Sequence, residues 1–458
     1  MKKKMISVIL AVTLIFTLIL TACVKNNQAD APPDGGEGGG SGGPGGSSAS
    51  VSYSGATTIE AADTQTDKTY TSTIADENAL LIDTGENVII NNPTVTKSGD
   101  SDGGDNCNFY GINSAVMVKG GGTTTITGGK IETTATGSNG IFSYGGNGGQ
   151  NGASGDGTTV KIKDTIIHTT GDNAGGIMTT GGGITQAQNL TITTEGRSSA
   201  AIRTDRGGGT VTVFGGSYTT SGLGSPAIYS TADVSVSKAE LVSNLSEGVC
   251  IEGKNSVSIS NSSLTANNTK MNGNATFLDT IMIYQSMSGD ADSGTSSFTM
   301  NGGTITSKSG HVFHVTNTNA IINLTGVNIK NEDSENILLS VCDDGWSGSD
   351  NIATVNAQGQ VLKGTILVGD NSTLNLNLSK SSNFTGTVSG NITNAKGESV
   401  SSGVGTVSVT LDKTSKWTLT GDTYITEFNG NAANVISNGY TLYVNGVALQ
   451  GTLNSISN

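Results

Sequence analysis

The sequence predicts an all-β solenoid: coils of about 25 residues, each built from three short strands, stacked as a parallel β-helix. Two observations carry this. The first is a recurring unit, seen as GGGTTTITGGKIETTATGSNGIFSYGG (120–146), GGGTVTVFGGSYTTSGLGSPAIYSTA (207–232) and DVSVSKAELVSNLSEGVCIEGK (233–254). Within each copy apolar residues alternate with polar ones, the period of a strand, and Gly, Asn, Ser or Asp breaks the runs. The second is composition. The 458 residues include 67 glycines, with only 5% aromatic and 13% charged residues. No stretch after residue 25 keeps a 3.6-residue apolar period, which argues against helices.

Matching apolar positions fall at Val116, Ile141, Ile177, Ile202, Ile228, Ile251 and Ile283. A strand stacked on both sides needs its backbone N–H groups, so proline is excluded from the interior. Three of the five prolines, Pro32, Pro33 and Pro44, precede the repeats. The expected core is a narrow column of Ile, Val, Leu and small side chains. At about 4.8 Å per coil, roughly fifteen coils would make a rod of about 70 Å.

The chain begins with Lys2, Lys3 and Lys4, followed by an apolar run from Met5 to Leu20 that is too short and wrongly flanked for a membrane span. Leu20-Thr21-Ala22-Cys23 then matches a bacterial lipobox, which makes Cys23 the lipidation site; the plainer alternative is a secretory signal that happens to contain a cysteine. Residues 1–22 are read as the signal peptide and 23–50, rich in Gly and Ser, as a tether that cannot bury a core. Residues 51–405 are expected to form the β-helix with an N-terminal cap, and 406–458 its terminal coils or a C-terminal cap. The expected location is the outer face of the cell membrane, with a monomer held there by lipid.

The net charge of −14 disfavours nucleic acid and anionic membrane surfaces as partners. It is compatible with divalent cations, and equally with simple solubility. Cys107, Cys250 and Cys342 give no disulfide framework and no zinc spacing. Cys250, between Val249 and Ile251, reads as a packing residue. His311 and His314 share the segment GHVFHV, too little to define a metal site. There is no GxSxG and no βαβ unit for a nucleotide.

Stacked coils turn sequence positions into columns. If the matching apolar residues point inward, the residues after them point outward. One outward column then reads Met117, Phe142, Met178, Arg203, Tyr229, Glu252, Tyr284, and the next includes Lys119, Tyr144, Asp205 and Lys254. Tyr144, Arg203, Asp205, Tyr229, Glu252 and Tyr284 would form a flat strip for an extended ligand. Aromatic faces would stack on sugar rings and charged groups would hold hydroxyls or carboxylates. The alternative is an ordinary ladder of cross-strand pairs. Arg203, Asp205 and Arg206 cluster in AIRTDRG (201–207), suited to a carboxylate ligand or to a local ion pair. Asp290 and Asp292 lie two apart in SGDADS (288–293), an arrangement open to Ca²⁺, the one cofactor suggested. Asp100, Asp102 and Asp105, and Asp343, Asp344 and Asp350, form further acidic loops.

The segments DENALLIDTGENVIINNPTV (76–95), NFYGINSAV (108–116), AAIRTDRGGGTVTV (200–213), SPAIYSTADVSVS (225–237), IYQSMSGDA (283–291) and FHVTNTNAIINL (313–324) resemble right-handed parallel β-helix proteins of the pectate-lyase-like superfamily. The chain is similar to β-helix lipoproteins of Firmicutes described as carbohydrate-binding or adhesin-like. The resemblance covers nearly the whole chain after the signal and implies a right-handed coil. Lyase relatives pair Ca²⁺ on a carboxylate cluster with an Arg or Lys base. Asp205 with Arg203 or Arg206 would take those roles, but no three acids are expected to cluster beside them. Three functions follow as expectations: a non-catalytic binder of extended, possibly acidic polysaccharide assisted by Ca²⁺; a polysaccharide lyase acting on polyuronate; and an adhesin for a protein or host surface.

Overall fold

The structure is a computed structural model that describes residues 51–101, 103–147 and 154–455. Cys23, the signal segment and the tether lie outside the described residues. The described chain is a parallel β-helix. A typical coil runs through Val116–Lys119 on a first face, Thr123–Thr127 on a second and Lys130–Thr133 on a third. The next coil repeats this with Ile141–Tyr144, Thr159–Lys163 and Ile166–Thr169, each paired in parallel with its predecessor.

The first face is a sheet of 13 strands, from Gly55–Ile59 to Val388–Ser389. The second and third faces join in one sheet of 22 strands, because Gly183–Thr194 and Gly209–Thr220 run unbroken from one face to the other. That corner is made by one or two residues in the left-handed region: Asp67, Asn92, Gly128 with Gly129, Asp164, Asn189, Lys238 and Asn261 have φ between 46° and 79°. Gly, Asn and Asp tolerate this conformation best, which explains the punctuation of the repeat. Each turn is tied to the next coil, as where Asn92 N–H donates to Thr127 O at 2.7 Å and Gly128 N–H to Lys163 O at 2.8 Å.

Inward residues of all three faces form one buried column, in which Ile141, Ile177, Ile202 and Ile228 are each at most 1% exposed. The expected alignment slips after Ile228, which pairs with Val249, while Ile251 pairs with Ser230. Because side chains alternate with period two, this slip of two residues keeps Ile251 inward but moves Glu252 and Tyr284 to the neighbouring outward column. The first face carries thirteen strands where roughly fifteen coils were expected. Insertions consume the difference: the segments 98–101 and 103–115, 267–278, 285–294 and 342–350 leave the coils and lie against the first face.

The second face is uncovered. Along it Asn323 Nδ2 donates to Thr299 Oγ1 at 3.1 Å, Asn356 Nδ2 to Asn323 Oδ1 at 2.9 Å and Asn377 Nδ2 to Asn356 Oδ1 at 3.0 Å. This outward ladder satisfies polar groups from coil to coil. The segment 406–455 continues the coils, with Thr406–Leu411 on Ser372–Ser379 and Lys416–Leu419 on Asn383–Gly386. An antiparallel pair, Leu442–Val444 with Val447–Ala448, follows.

Candidate functional site

The strip expected to meet solvent does not. Tyr144 is 9% exposed, Arg203 2%, and Asp205, Tyr229, Glu252 and Tyr284 0%. These side chains do point away from the central column, but the inserted segments lie over them. The six-residue helix Asp105–Tyr110 sets Tyr110 edge-on to Tyr144, ring centroids 5.7 Å apart. Trp346 packs on Tyr284 at 4.9 Å. The outward face of the first sheet is therefore a second core, and its Met117, Phe142 and Met178 are there to pack under the cover.

Several polar residues beneath that cover hydrogen-bond one another, while Arg203 Nε and Gln285 Oε1 are buried without a partner. Arg203 donates to Asp205 Oδ2 at 2.9 Å, and to Asn108 Oδ1 and Ser198 O at 3.3 Å. Tyr229, Ser286, Tyr284 (3.2 Å) and Ser288 (3.4 Å) donate hydroxyls to the Glu252 carboxylate. Burial pushes Glu252 up, and the hydroxyls only partly oppose it. Burial also pushes Asp205 up to about 7 despite the nearby Arg203, and Asp290 and Glu252 add to the rise. Arg206 caps the cluster, with its Nε 3.0 Å from Asp290 Oδ1 and its guanidinium carbon 4.1 Å from the centre of the Phe109 ring. Asp205, Glu252 and Asp290 thus gather around two arginines, where the sequence suggested acids spread over distant loops. They gather in the interior, however. Of the residues suggested for a lyase, Arg203 and Asp205 are buried beneath the inserted segments, and Arg206 keeps 31% of its side chain exposed.

Asp290 and Asp292, the residues suggested for Ca²⁺, are each paired with a basic side chain. Asp290 binds Arg206, and Asp292 Oδ2 lies 2.8 Å from Lys254 Nζ, so each carboxylate already faces a cation. Among the described residues no group of three or more acids, histidines or cysteines is placed to hold a metal.

What the structure leaves open is a groove along the corner where the first face turns into the second. One concavity of about 380 Å³ spans successive coils at Gly182, Gly207–Gly209, Asp233, Lys254 and Asn255. Further along the same corner a second, of about 350 Å³, is lined by Ser293, Thr295, Thr318, Asn319 and Asp350. The Lys254–Asp292 pair joins the coils between them. Glycine shapes the first concavity: Gly207 has φ of 84°, and a Cβ there would sit 2.7 Å from Gly181 Cα on the neighbouring coil. The lining offers hydroxyls, amides, one ammonium and two carboxylates, the donors and acceptors that sugar hydroxyls require.

Comparison with protein-family models, with curated proteins and with solved structures finds no match to this chain. The groove is lined by turn residues and by the first residues of strands of the second face, such as Gly209, Asp233, Thr295 and Asn319, where the periodic signal is weakest. The signal that the strip is covered was present: an outward column containing Met117, Phe142 and Met178 needs an apolar cover, and Phe109, Tyr110 and Trp346 lie in segments too long for tight turns.

Proposed function

We propose that this chain is a lipid-anchored protein of the bacterial cell surface that binds an extended polysaccharide, without cleaving it, along the corner groove. The observation that carries the reading is the succession of two concavities on consecutive coils of one corner. A ligand that repeats along its own axis can make the same hydroxyl and amide contacts coil after coil at about 4.8 Å intervals. Mixed lining charges, Asp233, Lys254 and Asp350, suit a neutral or weakly charged chain better than a polyuronate. Cys23 and the Gly/Ser tether would hold the rod away from the membrane.

The test is a screen of the domain from residue 51 onward against soluble and insoluble polysaccharides, with ultraviolet absorbance recorded throughout. Retention on at least one polysaccharide with no unsaturated product supports the reading. An absorbing product from polyuronate would replace it with the lyase, and binding to proteins alone would replace it with the adhesin.

A further inference from the structure

A second cleft, of about 370 Å³, opens at a different corner, where the third face turns into the first. Phe277 and Leu367 give it apolar walls, and His311, Asp333, Glu335 and Asn394 bring polar groups. One side is closed by the antiparallel hairpin Ile392–Thr393 with Ser399–Ser401, pinned where Ala395 N–H donates to Thr276 O at 2.9 Å. No Lys or Arg is among the lining residues.

Behind His311 runs a line of buried polar groups. Ser340 Oγ lies 2.7 Å from His311 Nδ1 and 2.7 Å from His314 Nδ1. His314 Nε2 lies 3.2 Å from Asp344 Oδ2 without hydrogen-bond geometry, and neither atom has a hydrogen-bond partner. Both His314 and Asp344 are buried with 0% side-chain exposure. Phe277 stacks on His314 at 4.7 Å and tilts against His311 at 5.5 Å, fixing both rings. Burial tends to raise Asp344, but the nearby His314 and hydrogen bonds from Thr276 hold its carboxyl below the ordinary value, so it is an anion.

This geometry has a direction. A neutral His314 with its proton on Nε2, toward the Asp344 anion, has Nδ1 as an acceptor, and in that state the line of protons is fixed. Ser340 has one hydroxyl proton and gives it to His314 Nδ1, so its oxygen accepts from His311 Nδ1–H. The remaining nitrogen of His311, Nε2, is then a lone-pair acceptor at the cleft.

We propose that this cleft is a small-ligand site for a protonated amine flanked by hydroxyls, the chemistry of an amino sugar, with His311 Nε2 accepting a hydrogen bond and Asp333 and Glu335 facing the positive charge. The inference does not depend on the corner groove. Asn394 holds the hairpin in shape, its Oδ1 accepting from Lys396 N–H and Glu398 N–H at 3.0 Å. A carboxylate ligand would meet two acids and no cation, and is excluded by charge.

The chain has only three histidines, His168, His311 and His314, so selective nitrogen labelling of histidine resolves the question by NMR. Expected are His314 protonated at Nε2, His311 protonated at Nδ1, and a shift of His311 Nε2 on adding glucosamine but not galacturonate. Ser340→Ala should abolish the tautomer preference of His311. Glu335→Gln, at an exposed side chain, should weaken glucosamine binding several-fold while leaving the fold intact. A His311 protonated at Nε2, no shift with millimolar glucosamine, or an equal response to galacturonate would each overturn the proposal. None of these outcomes bears on polysaccharide binding in the groove.

Discussion

Lys254 Nζ lies 2.8 Å from Asp292 Oδ2, and this ion pair links two consecutive coils between the two concavities of the corner groove. Both side chains are partly solvated, so the pair adds about 0–1 kcal/mol to stability. Lys254→Ala should therefore leave the melting temperature almost unchanged. It should still weaken polysaccharide retention, because the ammonium lines the first concavity. Unchanged retention in affinity electrophoresis would remove Lys254 from the binding surface.

Trp346 tests whether the first face is truly roofed. It is 4% exposed and packs on Tyr284. Trp346→Ala should destabilise the domain by about 3 kcal/mol, the usual cost of emptying a buried aromatic site, and should increase binding of a hydrophobic dye. A loss below about 0.5 kcal/mol in denaturant titration would mean that segment 342–350 does not pack as a cover.

The buried Asp205 makes stability depend on pH. Its carboxyl is raised from 3.8 to about 7 in the folded state, so the native protein keeps a proton that the unfolded chain has released. The folded state binds more protons between those values, and stability therefore falls as pH rises through that window, by at most about 1.4 kcal/mol per pH unit for one group. Asp205→Asn stays neutral and should flatten this fall. His311, lowered from 6.5 to about 3 by burial and the nearby His314, acts in the opposite sense: its contribution is lost as pH falls from 6.5 towards 3. It is common to both proteins and cancels in their difference. Equal pH slopes for wild type and Asp205→Asn in urea unfolding would show that Asp205 ionises normally in the fold.

The repeat made the architecture legible. Period-two alternation and the Gly, Asn and Asp breaks correspond to three faces and to a corner built from left-handed residues such as Asn92, Gly128 and Asp164. Alignment by apolar residue alone could not locate the slip at Val249, because Ile251 two positions on is also apolar and also inward. Burial of the outward column was hidden for a different reason. Alternation tells which side of a sheet a residue occupies, not whether another segment lies over that side. Tyr229 and Glu252 read as surface residues until the cover at 285–294 and 342–350 is known, and their mutual hydrogen bond is a contact between coils that no local pattern encodes. Asp290 reads as an exposed ligand for the same reason, since its partner Arg206 lies 84 residues earlier.

Anchoring is tested outside the described residues. Cys23→Ser should block lipid attachment and release the chain to the medium or halt its processing. A Ser variant that stays in the membrane at mature size would contradict the lipobox reading.

The corner groove, and not the open second face, is the surface proposed to hold the polysaccharide. The most direct measurement is affinity of three single variants for the polysaccharide that wild type retains. Thr210→Trp and Asn319→Trp place bulk at exposed positions lining the two concavities, and Ser258→Trp places it at an exposed position on the second face. Both groove variants should lose binding while Ser258→Trp keeps it. Binding that survives both groove substitutions and is lost with Ser258→Trp would contradict this reading.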